Sequence, residues 1–187
     1  MIMPPDTIIQ GKTIQLEKVR SNVAFAQKLY ETLLVNKKYL SYWFEYGCNL
    51  KIDNLEDSFC YLMHLEDCWQ KQKQYSYFIY TQNNELVGFI SVTLTEPENC
   101  GAILHFWITK QERQKGYISE AMALIEKNFF FIGIERMVIC CDSKCKIIEN
   151  LALKNGYQFE GVKRHGYWNA TKSKFVDMNV FSKINNN

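Results

Sequence analysis

His105-Phe106-Trp107-Ile108-Thr109-Lys110-Gln111-Glu112-Arg113-Gln114-Lys115-Gly116-Tyr117-Ile118-Ser119-Glu120-Ala121 is the stretch whose reading decides the fold. Its opening residues are β-forming, its middle is a basic turn, and beyond Tyr117 the apolar positions Ile118, Ala121, Met122, Ile125 and Phe129 recur at helical spacing. A strand (102–109) therefore runs through a basic loop directly into a helix (117–131). Unpaired amides at a helix start, together with the positive end of the helix dipole, form an anion site. Gly116 allows close approach to the backbone there, and Arg113 and Lys115 add charge. Taken alone, the same residues also suit a plain surface turn before a helix.

Working outward, residues 8–18 read as extended segments around a Gly11-Lys12 turn, and 23–34 as a helix carrying Phe25, Ala26, Leu29 and Leu33 on one face. The aromatic run 39–44 is ambiguous between helix and strand. A second helix covers about 54–70. Strands at 75–81 and 85–94 flank a Gln82-Asn83-Asn84 turn, and a loop at 96–99 leads to the strand that opens the deciding stretch. Met137 to Cys141 is a short apolar run expected to be buried on both faces. A helix over about 146–155 stops at Gly156, and strands at 157–164 and 175–182 close the chain. The order predicts an α/β (α+β) fold with a mostly antiparallel sheet and one parallel crossover, from strand 102–109 through the long helix to strand 137–141.

The chain has 187 residues, enough for one domain spanning 1–187. Hydrophobic residues at 47% and charged residues at 22% exclude disorder and fibrous repeats. The 22 Lys and Arg against 20 Asp and Glu leave +2, which gives no argument for nucleic acid or a membrane surface as partner. Seven cysteines, an odd number inside periodic segments, fit a reducing compartment rather than a disulfide framework. The opening residues MIMPPDTIIQ have no basic or long apolar region, so the expectation is a soluble cytoplasmic protein. Cys60, His64 and Cys68 share a helical stripe, but the outer two stand about 12 Å apart along the axis, so no metal site is expected.

The sequence resembles the GNAT superfamily of N-acetyltransferases, in particular its RimL/RimJ branch. The resemblance rests on R-Q-K-G-Y-I at 113–118, F-W-I at 106–108, A-L-K-N-G-Y-Q-F-E-G at 152–161, D-M-N-V at 177–180 and N-K-K-Y-L-S-Y-W at 36–43. Ile118 stands where the superfamily's loop ends in a small residue. The resemblance implies a mixed sheet whose parallel pair splays around acetyl-CoA, with helices on both faces. It also implies transfer of an acetyl group to a primary amine, most favourably a protein N-terminal α-amino group of the ribosomal-protein type. A small cation such as a polyamine or aminoglycoside is the alternative acceptor, and a catalytically impaired acyl-CoA-binding module is the non-enzymatic one. A homodimer is a candidate assembly.

Residue by residue, the resemblance implies that backbone groups of Phe106, Trp107 and Ile108 pair with the pantetheine arm. The loop from Arg113 through Gln114, Lys115, Gly116, Tyr117, Ile118 and Ser119 holds the diphosphate, and Cys145 and Lys154 also face the cosubstrate. The thioester is polarised at a strand bulge by an amide near Ile108. Trp43, Glu45 and Tyr167 border the acceptor. The branch's usual Asn, Ser and Glu are replaced by Cys145, Ile148 and Tyr167, which leaves the proton carriers open. Tyr167 is a candidate acid or a lid over the acceptor cleft. His105 is a candidate base or a packed strand histidine, His165 a base or an exposed turn residue, and Glu45 a base or a rim charge. Cys141 lies near the cosubstrate thiol or is a small core residue. Glu45, Glu56, Asp57, Glu66 and Asp67 could attract a cationic acceptor or simply form a solvated helix face.

Overall fold

The structure, a computed structural model, describes residues 4–44, 52–95, 101–169 and 173–186, with backbone alone at 41–44. Along the chain come β1 (Ile8–Gln10), β2 (Ile14–Lys18), α1 (Val23–Phe44), α2 (Leu55–Gln70), β3 (Gln74–Thr81), β4 (Leu86–Leu94) and β5 (Gly101–Ile108). After a turn of 3-10 helix at Lys110–Glu112 follow α3 (Tyr117–Phe131), β6 (Arg136–Asp142), α4 (Lys146–Lys154), β7 (Gln158–Asn169) and β8 (Lys174–Ile184). The eight strands form one sheet in the order β1-β2-β3-β4-β5-β6-β8-β7. Every neighbouring pair is antiparallel except β5 and β6. The mixed α/β sheet with a single parallel pair is the one expected from the order of elements.

Alternation along the central strands divides the core in two. Tyr75, Tyr77 and Ile79 of β3 pack with Ala102 and Leu104 of β5 and with Ala121, Met122, Ile125 and Phe129 of α3. On the other face Phe78, Tyr80, Phe89 and Trp107 pack with Leu29, Leu33 and Leu40 of α1 and Leu62 and Leu65 of α2. Each fully buried side chain of this size contributes roughly 1.5–3 kcal/mol. The two layers fix the sheet between a helix pair on either side.

Three expectations change. The ambiguous aromatic run 39–44 continues α1, because Leu40, fully buried, extends the helical stripe of Leu29 and Leu33 by two turns. Strand β6 is not buried on both faces: Met137, Ile139 and Cys141 are buried while Val138 and Cys140 are only half-buried, since α3 and α4 cover one side alone. The closing strands are longer than expected, and His165 lies within β7 rather than in a turn, at φ 50 and exposed. The loop 96–99 and Glu45 lie outside the described residues, as does the side chain of Trp43.

The far edge of the sheet carries a charged tie. Arg136 of β6 holds both carboxylate oxygens of Glu160 on β7, and Ser182 Oγ of β8 donates to Glu160 Oε1 at 2.6 Å. The Arg136 guanidinium, seconded by Ser182, depresses the Glu160 pKa to about 2. A depressed carboxylate pKa stabilises the fold above the unfolded value and loses that contribution as pH falls through the folded one. Glu160→Gln should therefore cost about 1 kcal/mol at neutral pH, the solvent-screened worth of a half-exposed pair. Wild type and variant should converge as pH falls from about 4.5 to about 2 in a urea-unfolding series; a constant gap down to pH 2 would refute the assignment.

Candidate active site

Strands β5 and β6 pair only through Gly101–Ile103 and Arg136–Val138. Beyond that point the two diverge, and among the described residues no ladder spans the gap. The antiparallel register fixes which groups of β5 face it. Thr109 N donates to Val87 O at 2.8 Å, so alternate residues from Thr109 back through Trp107 direct their backbone towards β4. Phe106 and Ile108 direct their N–H and C=O into the gap. Of the three residues expected to pair with a pantetheine arm, Trp107 has its backbone committed to Phe89, and its ring stacks on that of Phe89 at 6.2 Å.

The gap opens into a cavity of about 390 Å³. Phe106, Trp107 and Ile108 form one wall, and Arg113, Gln114, Gly116, Tyr117, Ile118 and Ser119 form the end. Ile147, Ile148, Asn150, Leu151 and Lys154 of α4 form the opposite wall, and Tyr39 and Glu112 complete it. Nearly all of the expected cosubstrate loop is thus brought together. Lys115 is not part of the lining; its ammonium is held 2.8 Å from Glu112.

The end of the cavity is built for an anion. Gly116 N-caps α3 at φ 87, and Gln114 is also left-handed at φ 62. The first helical bond runs from Glu120 N to Gly116 O, so the amides of Tyr117, Ile118 and Ser119 have no partner within the helix. A Cβ built on Gly116 would meet nothing within 4 Å, which leaves room for a ligand against the backbone. A coenzyme A diphosphate fits this cradle. The loop is tied to α1 by two residues of the 36–43 stretch, to which the sequence reading gave no part in the loop. Asn36, 6% exposed, accepts Lys110 N through Oδ1 at 3.0 Å, and the Arg113 guanidinium lies 5.4 Å from the Tyr39 ring centroid. The helical period of 147, 151 and 154 was the legible signal for the α4 wall.

The other candidates stand apart from the cavity. His105 alternates with Phe106 and so shares the α1/α2 face of β5 with Trp107; burial lowers its pKa, which keeps the imidazole neutral at pH 7. Cys145 is 5% exposed, caps α4 and does not line the cavity. Burial raises the thiol pKa of Cys145 and pushes that of Cys141 up to about 12. Neither is a thiolate at neutral pH, so neither is a ready nucleophile. Tyr167 is half-buried on β7 opposite Val176, beyond the point where β8 leaves β6 at Met178. The expected bulge near Ile108 is corrected: the β4–β5 ladder shows no register shift up to Ile108. The irregularity lies in the β3–β4 ladder between Ile79 and Tyr80, where Val87 of β4 is the extra residue.

Three of the four carboxylates of α2 are occupied. Glu66 accepts Ser21 N at 3.0 Å and the Ser21 hydroxyl, which lowers its pKa, Asp57 accepts Asp53 N, and Asp67 pairs with Lys71 at 2.7 Å. On the same helix His64 Nε2 lies 3.6 Å from Cys68 Sγ, while Cys60 is exposed. Among the described residues no three potential ligands converge on a metal position, and no helix is long and apolar enough to cross a membrane.

The family model described as acetyltransferase (GNAT) family matches residues 41–157. Ribosomal-protein-serine acetyltransferase of Escherichia coli (strain K12) is 27% identical over 108 residues, a stretch spanning 57% of this chain and 59% of that protein's length. Among solved structures, the microcin C7 self-immunity acetyltransferase MccE in complex with acetyl-CoA and AMP superposes with a TM-score of 0.82 at 22% identity, covering 93% of both chains. RimL, the ribosomal L7/L12 α-N-protein acetyltransferase in complex with coenzyme A, gives a TM-score of 0.82 at 21% identity, covering 95% of this chain and 97% of its own. These two likenesses establish the shared fold.

Proposed function

The chain belongs to the acetyltransferase (GNAT) family, and we propose from this that it transfers an acetyl group from acetyl-CoA to a primary amine, the α-amino group of a protein N-terminus. The observation that carries the reading is the gap between β5 and β6 that runs onto the unpaired amides of Tyr117, Ile118 and Ser119. The backbone of Phe106 and Ile108 binds the pantetheine arm as an added strand would. The loop 113–119 takes the diphosphate, with Arg113 and Lys154 supplying charge. Lys115 reaches it by giving up Glu112.

Acetyl-CoA supplies the activated acyl group. The chain contributes positioning and one fixed dipole: the Ile108 N–H, aimed into the gap, stabilises oxygen charge as the amine attacks the thioester carbon. The new C–N bond forms, the C–S bond breaks, and the amine's proton and the thiolate must be balanced by proton carriers. Ile108, Ile147 and Ile148 have no proton to give, and Tyr167 is the proposed donor to the departing thiolate. His105, held neutral by burial, is the proposed acceptor of the amine's proton through water, and Trp43 and Glu45 keep the acceptor-side role that the family resemblance implies. The protein N-terminus is favoured over a polycation because three of the four α2 carboxylates, Glu66, Asp57 and Asp67, are already bound to Ser21, Asp53 and Lys71.

Free thiol released from acetyl-CoA in the presence of short peptides, spermidine and an aminoglycoside tests the proposal. Turnover with peptides bearing a free N-terminus and none with N-blocked ones is the expected result. Turnover confined to the polyamine or aminoglycoside would replace the acceptor. Coenzyme A binding with no acceptor turned over would make the chain a binding module. Tyr167→Phe should lower kcat about 10- to 100-fold, the usual worth of general acid catalysis; an unchanged kcat removes Tyr167.

A further inference from the structure

We propose that Asn155 is a positioning residue for the diphosphate loop, acting by aiming the hydroxyl hydrogen of Ser119 into the cavity. The inference rests on the reading that coenzyme A occupies that loop. Asn155 follows α4 and reaches across to α3. Its Nδ2 lies 2.7 Å from Leu151 O and 3.1 Å from Ser119 Oγ. A carbonyl can only accept, so the contact with Leu151 fixes which end of the amide is the NH2 group. That same group must then donate to Ser119.

A serine hydroxyl offers one hydrogen and two lone pairs. With Oγ accepting from Asn155, its own hydrogen must point elsewhere. Ser119 stands in the first turn of α3 and lines the cavity, and among the described residues no protein acceptor is recorded for that hydrogen. It adds a side-chain donor to the free amides of Tyr117, Ile118 and Ser119, all converging on one anion.

The main chain of Asn155 is itself held from behind. Lys183 Nζ donates to Asn155 O at 3.1 Å and to Glu126 Oε2 at 2.6 Å. Glu126, 7% exposed, lies two helical turns after Ser119 on the same side of α3. Lys183 of β8 therefore clamps α4's end to α3 at a second point. These two contacts set the spacing between the cavity walls that α3 and α4 provide.

Asn155→Asp tests the idea at almost unchanged shape. A carboxylate accepts where the amide donated, so the Ser119 hydrogen turns away from the cavity. The variant should raise the KM for acetyl-CoA by about tenfold and change kcat by less than about twofold, as expected when a donor to a charged ligand is lost from binding alone. With S-acetylpantetheine, which lacks the diphosphate, kcat/KM should match wild type. Loss of folded protein would depress both donors equally, so the comparison within one variant separates positioning from stability.

A double-mutant cycle gives the second arm. Ser119→Ala and Asn155→Ala should each raise the acetyl-CoA KM, and their combination should be no worse than Ser119→Ala, while Ser119→Thr should keep the wild-type value. An Asn155→Asp enzyme with wild-type KM, equal losses on both donors, or additive effects in the cycle would overturn the proposal. A wild-type chain that binds no coenzyme A would instead overturn the reading beneath it.

Discussion

Calorimetric titration of a Gly116→Glu variant with coenzyme A should show no saturable heat where the wild-type chain gives an isotherm. Two effects add. Gly116 sits at φ 87, a conformation that costs a residue with a Cβ roughly 1–2 kcal/mol. The site pointed to by that Cβ is empty to 4 Å, which is the space a phosphate would take against the α3 amides. A glutamate there fills the space and places a negative charge beside two phosphates. A loss of about 3 kcal/mol or more, over 100-fold in affinity, follows. Gly116→Ala separates the causes, since it carries the backbone strain without the charge and should retain weakened binding. Wild-type affinity in Gly116→Glu would remove the anion site, and with it the acyl-CoA reading.

The second large effect lies behind the site. Gly88 is buried on β4 directly opposite Ile108. A Cβ there would stand 2.5 Å from Trp107 O, 3.1 Å from Ile108 Cδ1 and 3.3 Å from Ile79 Cδ1. The two isoleucine tips can turn aside. The Trp107 carbonyl cannot, because it belongs to the β4–β5 ladder itself. Gly88→Val must push β5 away from β4, and the segment pushed carries the Ile108 amide. Overpacking of this kind costs about 3 kcal/mol, or a fall in Tm of roughly 6–12 °C for a chain of this size. The variant should also lose kcat at temperatures where it is still folded, since the Ile108 dipole moves relative to the gap. A Tm within a degree of wild type would show that β5 yields without strain, and that its position is not fixed by this contact.

The reasons these residues matter were unequally visible in the sequence. Periodicity placed α3 at its observed limits, because five apolar residues on one face leave little freedom over where the helix begins. Gly116 and the basic residues before it marked the loop, since few other residues suit a left-handed turn that meets an anion. Strand order and the parallel crossover followed from the alternation of element types and the limited ways of connecting them.

What no reading of a single sequence supplies is the pairing of residues far apart in the chain. Asn36 reaches Lys110, Asn155 reaches Ser119 and Gly88 faces Ile108 only because the sheet brings those segments together. His105 and Phe106 are neighbours in sequence, yet the pleat sends them to opposite faces, and only the placement of α1 and α2 decides which face is which. Local chemistry determined the elements, the crossover and the anion-binding turn, because these depend on residues within a few positions of one another. The end of the β5–β6 ladder at Ile103 and Val138, and therefore the gap itself, was decided by the tertiary structure, where packing across the whole sheet sets how far two parallel strands stay together.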